Sequence, residues 1–408
     1  MRALQPLLQR GLLALDPWLD AIFPIATALI CAKQRLAGYS LLAIYLGLRL
    51  LQRSDQEPWR WILVSLLVAN AGLIVQDQDL KPGGASDYLI VALGFAAGFQ
   101  RTRSQWGNAL GWIASCAVPL LAFSIAAGDN LIQGTASFAG FNINKLGFLA
   151  GLLSVSAYGW FLQAQAPKTR ILAMLLMILG ISEAILTESR AAIVVPCIAI
   201  AAERVASHRW TIRRALMMTA LVLAIASGTI YNWYLKSETN YSLATDYRLG
   251  EINRVETIQC WMRSTSQSSR SLWLGLGYGK PAQEWCGPEA IPSLRKMQKS
   301  QGLQHAHNFY AQIFAEAGLS GLILSIGLTC AGFGKAWQLH TNRMLPLALP
   351  LLIYLILMAL GITFWQVMMI NQVLVGYSLA ALTAVDPDPC VADATIPETQ
   401  PSASAPQG

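Results

Sequence analysis

The sequence predicts an all-α integral membrane protein of about twelve transmembrane helices with one long loop outside the bilayer. Three observations carry that reading. Hydrophobic residues make up 54% of the 408 and charged residues only 12%, with a mean hydropathy of +0.45, a balance that excludes a water-soluble enzyme. Apolar stretches of roughly 20 residues, the length that crosses a bilayer as a helix, recur along nearly the whole chain. Polar residues gather instead in one stretch of about seventy, too long to be a tight link between spans.

Taken in order, the apolar runs place spans near 18–32, 36–51, 60–76, 86–100, 107–127, 145–164, 170–187, 190–202, 214–234, 307–334, 344–361 and 364–384. Each must be helical, because lipid offers no partner for a bare peptide group. Ahead of them, Leu4, Leu8, Leu12 and Leu15 predict a short amphipathic helix lying on the membrane. Gln9, Arg10 and Asp16 interrupt that run and no small-residue cleavage site follows, so a cleaved signal peptide is not expected. The organisation is therefore 1–234 with about nine helices, the loop 235–306, 307–385 with about three more, and 386–408 as a disordered cytoplasmic tail, rich in Pro, Ser, Ala and Asp and without Lys or Arg.

Charge sets the orientation. With the N-terminus inside, the inner segments hold Arg49, Arg53, Arg60, Arg101, Arg103, Lys168, Arg170, Arg204 and their neighbours, and the short outer ones only Lys33, Arg35, Lys81, Lys145 and Arg190. Basic residues concentrate on the cytoplasmic side of such proteins, so 235–306 is a periplasmic loop of a bacterial inner membrane protein. The net charge of +7 is scattered between apolar runs, which excludes a nucleic-acid stripe and fits membrane lipids and phosphate-bearing partners. Cys31, Cys116, Cys197 and Cys330 stand singly in apolar stretches, with no metal-binding spacing. Cys260 and Cys286 share the loop, as a disulfide if it faces an oxidising compartment or otherwise as two thiols.

Ionisable groups at the membrane edge are the informative ones, because burying them is costly unless they are paired or face water. The notable charges of this chain read as clustered at the outer face. Arg190, at the outer end of the seventh span, can hold an anion with its planar fork, or pair with Glu188 or lipid headgroups. Arg248 and Arg254 occupy a loop stretch with helical character at about 250–264, where Glu251 and Glu256 are alternative charge partners. His305, His307 and Asn308 stand where the loop re-enters the bilayer, whereas His208 and His340 fall in cytoplasmic loops. A histidine at such an edge can take a proton near neutral pH. Asn144 and Lys145 precede the sixth span as phosphate or sugar contacts, or Asn144 as a plain helix cap. Gly275–Gly279 matches no phosphate-cradle spacing and reads as a tight turn.

At His307-Asn-Phe-Tyr-Ala-Gln-Ile-Phe-Ala-Glu316-Ala-Gly318-Leu-Ser-Gly321 the chain resembles the O-antigen ligase/polymerase superfamily. Phe141-Asn-Ile-Asn144, Ser189-Arg190, and Asn253-Arg254 followed by Gly275-Leu-Gly277 stand in the family's order, so the likeness spans 140 to 321. The resemblance implies a twelve-helix inner-membrane glycosyltransferase, without a metal or other cofactor, that moves a glycan from undecaprenyl diphosphate to lipid A-core. Carried over, the catalytic histidine is His307 and the diphosphate-binding arginines are Arg190 and Arg254, with Arg248 close enough to compete and Asn308, Asn144 and Lys145 as further substrate contacts. Trp273 or Leu274 stands where the family usually has a proline. The polymerase branch is the near alternative. A lipid-linked sugar flippase or transporter is the more distant one, expected to carry ionisable groups near the bilayer midplane.

Overall fold

The computed structural model describes residues 18–32, 34–52, 82–127, 143–187, 190–207, 241–277, 280–296, 305–360 and 369–385, with the backbone alone for 50–52, 82–88, 127, 143–145, 190, 241–251 and 280–281. The runs 60–76 and 214–234, the surface helix near the N-terminus and the tail 386–408 lie outside the described residues. The other predicted runs are helical where they are described. They form α1 (Ile22–Cys31), α2 (Arg35–Gln52), α3 (Pro82–Gly98), α4 (Arg103–Ser115), α5 (Ala117–Ala127), α6 (Ile143–Gln163), α7 (Pro167–Leu186) and α8 (Arg190–Ala206). The loop region adds α9 (Tyr241–Thr265), α10 (Ser269–Leu274), α11 (Lys280–Trp285) and α12 (Pro292–Lys296). After it come α13 (Phe309–Thr341), α14 (Ala348–Ala359) and α15 (Met369–Leu379), which ends in a 3-10 turn.

Local chemistry explains the boundaries. Thr102 opens α4 with a capping box, its hydroxyl accepting from the Gln105 amide while the Gln105 side chain takes the Thr102 N–H. The predicted span 107–127 is divided at Cys116, because Pro119 cannot donate to Ser115 and its ring crowds that carbonyl. Pro167 starts α7, where its missing N–H costs nothing.

Four helical stretches are long and apolar enough to cross a membrane among the described residues: Arg103–Ala126, Leu146–Gln163, Pro167–Leu186 and Phe309–Thr341. Ile22–Cys31, Leu89–Gly98, Ala348–Ala359 and Met369–Thr383 are shorter apolar helices. Helix α6 is the hub, packing against α4, α7, α8 and α14; 78% of its apolar window is buried, against 28% for α7. On α7 the side chains of Ile171, Leu175, Ile178 and Ile185 point outward, an apolar surface that a bilayer solvates and water does not. Helices α3 and α15 cross closely: a methyl group at Gly94 would lie 2.3 Å from the Val373 carbonyl oxygen, and one at Gly376 1.9 Å from that of Val91. Such small-residue contacts are how helices without a hydrophobic driving force between them gain packing energy. The described residues thus form the helical architecture of an integral membrane protein.

One expectation fails. The charges are not confined to the outer face, because Asp20, Arg49 and Arg101 are buried together inside the bundle. Arg49 Nη2 lies 2.8 Å from Asp20 Oδ1 and Arg101 Nη2 2.9 Å from Oδ2, while Tyr45 donates to the same carboxylate at 2.8 Å. Each residue lies in a terminal turn or a link, where counting by loops assigns it to water, yet its side chain folds inward to a partner. Mutual pairing offsets the cost of burying the charges. His340 is the second correction, since it belongs to the last turn of α13 and is buried, not part of an exposed loop.

Candidate functional site

The site region is built where the loop helices meet the start of α13. Helix α9 presents two faces. Asn253, Thr257, Cys260, Trp261 and Ser264 turn inward, while Ile252, Val255 and Met262 face out, the spacing of an amphipathic helix. The inward face is tied down by polar bonds as well as packing. Asn253 Oδ1 accepts from the Thr257 hydroxyl at 3.3 Å and the Ser293 hydroxyl at 3.2 Å, and the Glu256 carboxylate accepts the Ser293 N–H at 3.0 Å. Cys260 and Cys286 form a disulfide. Around it Trp261, Ala282, Ile291 and Leu294 make a small core that also takes in Ala306, Ala311 and Ala315. The loop therefore shares its core with the first turns of α13.

A second attachment uses the backbone. Helix α13 is broken at Gly318, whose φ of 66° and ψ of −163° are not helical. At this break the Ala315 carbonyl accepts from Leu276 N–H at 2.7 Å and the Glu316 carbonyl from Gly277 N–H at 3.0 Å. Ser320 Oγ returns a bond to the Trp273 carbonyl at 2.7 Å. The approach leaves no room for side chains: a methyl group at Gly275 would lie 2.2 Å from the Glu316 oxygen, and one at Gly318 2.4 Å from the Trp273 carbonyl carbon. Both glycines also have positive φ, which other residues rarely adopt. The segment read as a tight turn is thus the seat of the loop on the broken helix.

Above this seat stands the histidine pair. His307 has φ 56°, the left-handed region that costs a non-glycine residue energy and must be held by its surroundings. The rings of His305 and His307 meet edge to face at 4.5 Å, both half-buried, with Ala306 wholly buried between them. Asn308 caps α13 by accepting the Ala311 N–H at 3.0 Å and donates from Nδ2 to the Leu360 carbonyl at 3.0 Å, tying the site to the end of α14. Arg254 is half-buried on α9, and α9 packs against α13. Arg190 begins α8, Arg248 lies within α9, and Asn144 and Lys145 lie in the first turn of α6; their side chains are outside the description. An apolar cavity of about 220 Å³ begins at Phe309 and Tyr310, directly after the histidine turn, and continues along Thr329, Leu352, Leu355 and Leu379.

Residues 172–326 match the family model described as O-Antigen ligase. This segment matches an O-antigen ligase domain. It runs from α7 to just beyond the break in α13, so Arg190, Arg248, Arg254, His307 and Asn308 fall inside it and Asn144 and Lys145 precede it. The family's members are glycan-transferring enzymes that work on lipid-linked glycans. No curated protein matches the chain.

Reading by motif passed over Gln312. Its side chain is 2% exposed and accepts the Ala306 N–H at 2.8 Å, while its amide NH2 donates to Glu316, itself 1% exposed. The signal was present: two polar residues one turn apart on a face otherwise made of Ala311, Ala315 and Ile313.

Proposed function

We propose that this protein is an O-antigen ligase of the bacterial inner membrane, transferring a polysaccharide from undecaprenyl diphosphate to lipid A-core on the periplasmic face. The carrying observation is His307, half-exposed and held in a left-handed turn, at the mouth of a helix inside the O-antigen ligase domain. In this reading the acceptor hydroxyl oxygen attacks the anomeric carbon while its proton passes to the His307 imidazole. The bond from that carbon to the diphosphate breaks with its electron pair, and the charge on the departing lipid diphosphate is met by Arg190 and Arg254. One in-line displacement inverts the anomeric centre. No metal or other cofactor takes part.

Arg254 is preferred to Arg248 because the two are six residues apart on one helix, about 120° around its axis, and Asn253 beside Arg254 is the residue that anchors α9 to α12. Asn308, Asn144, Lys145 and Arg248 are proposed around the substrates. The cavity beginning at Phe309 suits the apolar prenyl tail. The Cys260–Cys286 bond supports a loop in an oxidising compartment, and twelve spans with 235–306 outside complete the proposed topology.

The test is transfer by the purified protein, given an undecaprenyl-diphosphate-linked glycan and lipid A-core, with and without a chelator. Product on lipid A-core that survives the chelator and is lost in His307→Ala supports the reading. Elongation of the lipid-linked glycan alone makes the protein a polymerase of the same superfamily, and neither product points to a flippase or transporter.

A further inference from the structure

We infer that Gln312 and Glu316 are positioning residues, a buried side-chain couple that fixes the backbone turn from which His307 reaches its substrate. The inference rests on the proposed chemistry at His307 and assigns what holds that histidine in place.

Three observations converge on the couple. His307 has a backbone conformation that must be enforced. The His305–Ala306 peptide, one residue earlier and with Ala306 wholly buried, is shut off from water, and its N–H donates to Gln312 Oε1 at 2.8 Å. An amide side chain satisfies that N–H only in one of its two orientations. The Glu316 carboxylate selects it: facing the acceptor oxygen, Gln312 presents its NH2 end and so turns Oε1 toward Ala306. Glu316 is located by its own main chain, whose carbonyl receives Gly277 N–H from the loop. A continuous path therefore runs from the seated glycine turn through Glu316 and Gln312 to the peptide beside the histidine. The role assigned to both side chains is geometric.

The experiment uses the full-length protein in nanodiscs and two readouts. One is transfer, resolved into kcat and donor KM. The other is carbethoxylation of His307 by diethylpyrocarbonate, followed by mass spectrometry, which needs no substrate. Gln312→Met keeps the volume but cannot accept the Ala306 N–H. It is expected to lower kcat by roughly 10- to 100-fold with donor KM within about twofold, and to change the His307 modification rate. Gln312→Glu sets a second carboxyl against Glu316 and behaves like Gln312→Met. Glu316→Gln still offers an oxygen to Gln312 and recovers most of kcat, whereas Glu316→Ala does not. Wild-type kcat in Gln312→Met overturns the inference. So does a loss of transfer matched by loss of folded protein while His307 in the surviving fraction modifies at the wild-type rate. Where the wild-type protein transfers nothing, the functional reading fails by itself, and the modification rate alone decides: a shift in Gln312→Met upholds the positioning role and no shift rejects it.

Discussion

At each end of helix α13 a histidine stands near a buried carboxylate, and the two ends are built differently. At the first, His307 is half-exposed on a left-handed turn, and the Glu316 carboxylate holds the Gln312 amide that takes the Ala306 N–H. At the last turn, His340 is 7% exposed with Nδ1 4.0 Å from Glu203. There Tyr158 donates to the Glu203 carboxylate, and Arg204 lies beside it at 3.7 Å. A buried histidine beside a carboxylate that already serves a phenol and an arginine fills a structural position. In the proposed mechanism the half-exposed His307 ring is the one open to an incoming hydroxyl.

The comparison breaks most sharply if the two histidines are exchanged in importance. His307→Ala is expected to cost about 10² to 10⁴ in transfer rate while the protein still inserts and purifies; a wild-type rate in the transfer assay would remove His307 from the mechanism. Next come Arg190→Ala and Arg254→Ala, each expected to lose on the order of a hundredfold in kcat, with Lys rescuing only partly because it lacks the planar fork. Gly275→Ala tests the seat of the site. Its methyl group has no room against the Glu316 carbonyl, so thermal unfolding in detergent should move to lower temperature and transfer fall with it. Cys260→Ser should lower the stability of the loop by about 2–5 kcal/mol, read as faster proteolysis within 241–296. The smallest effect is His340→Ala, expected to leave kcat near wild type and to lower stability by about 1–3 kcal/mol.

The end that bears His307 was legible in the sequence for a physical reason. A polar run of about seventy residues interrupting apolar spans is visible by composition, and a His-Asn pair beside a helix start is local in the chain. Helices where apolar runs occur were legible too, since a peptide in lipid has few alternatives. The break at Gly318 was not. The hydropathy of Phe309–Thr341 is uninterrupted, and what breaks it is a turn more than forty residues away, at Gly275. The Asp20, Arg49 and Arg101 cluster escaped for the same reason. Its members are separated by 29 and 81 residues from Asp20, and nothing local to each says that they meet. Gln312 lay in plain view inside the motif, but as a side chain that binds its own upstream backbone it has no signature beyond its spacing from Glu316.

The seat of the glycine turn on the broken helix bears on how the protein is made. Until Leu276 and Gly277 arrive, the Ala315 and Glu316 carbonyls at the break lack those donors, and a bare carbonyl in lipid is costly. Leu276 and Gly277 precede α13 in the chain. The donors are thus synthesised before the carbonyls that need them, and a loop already closed by its disulfide offers them ready-made. A helix whose break is met by a partner made before it takes its final shape only once that partner is in place.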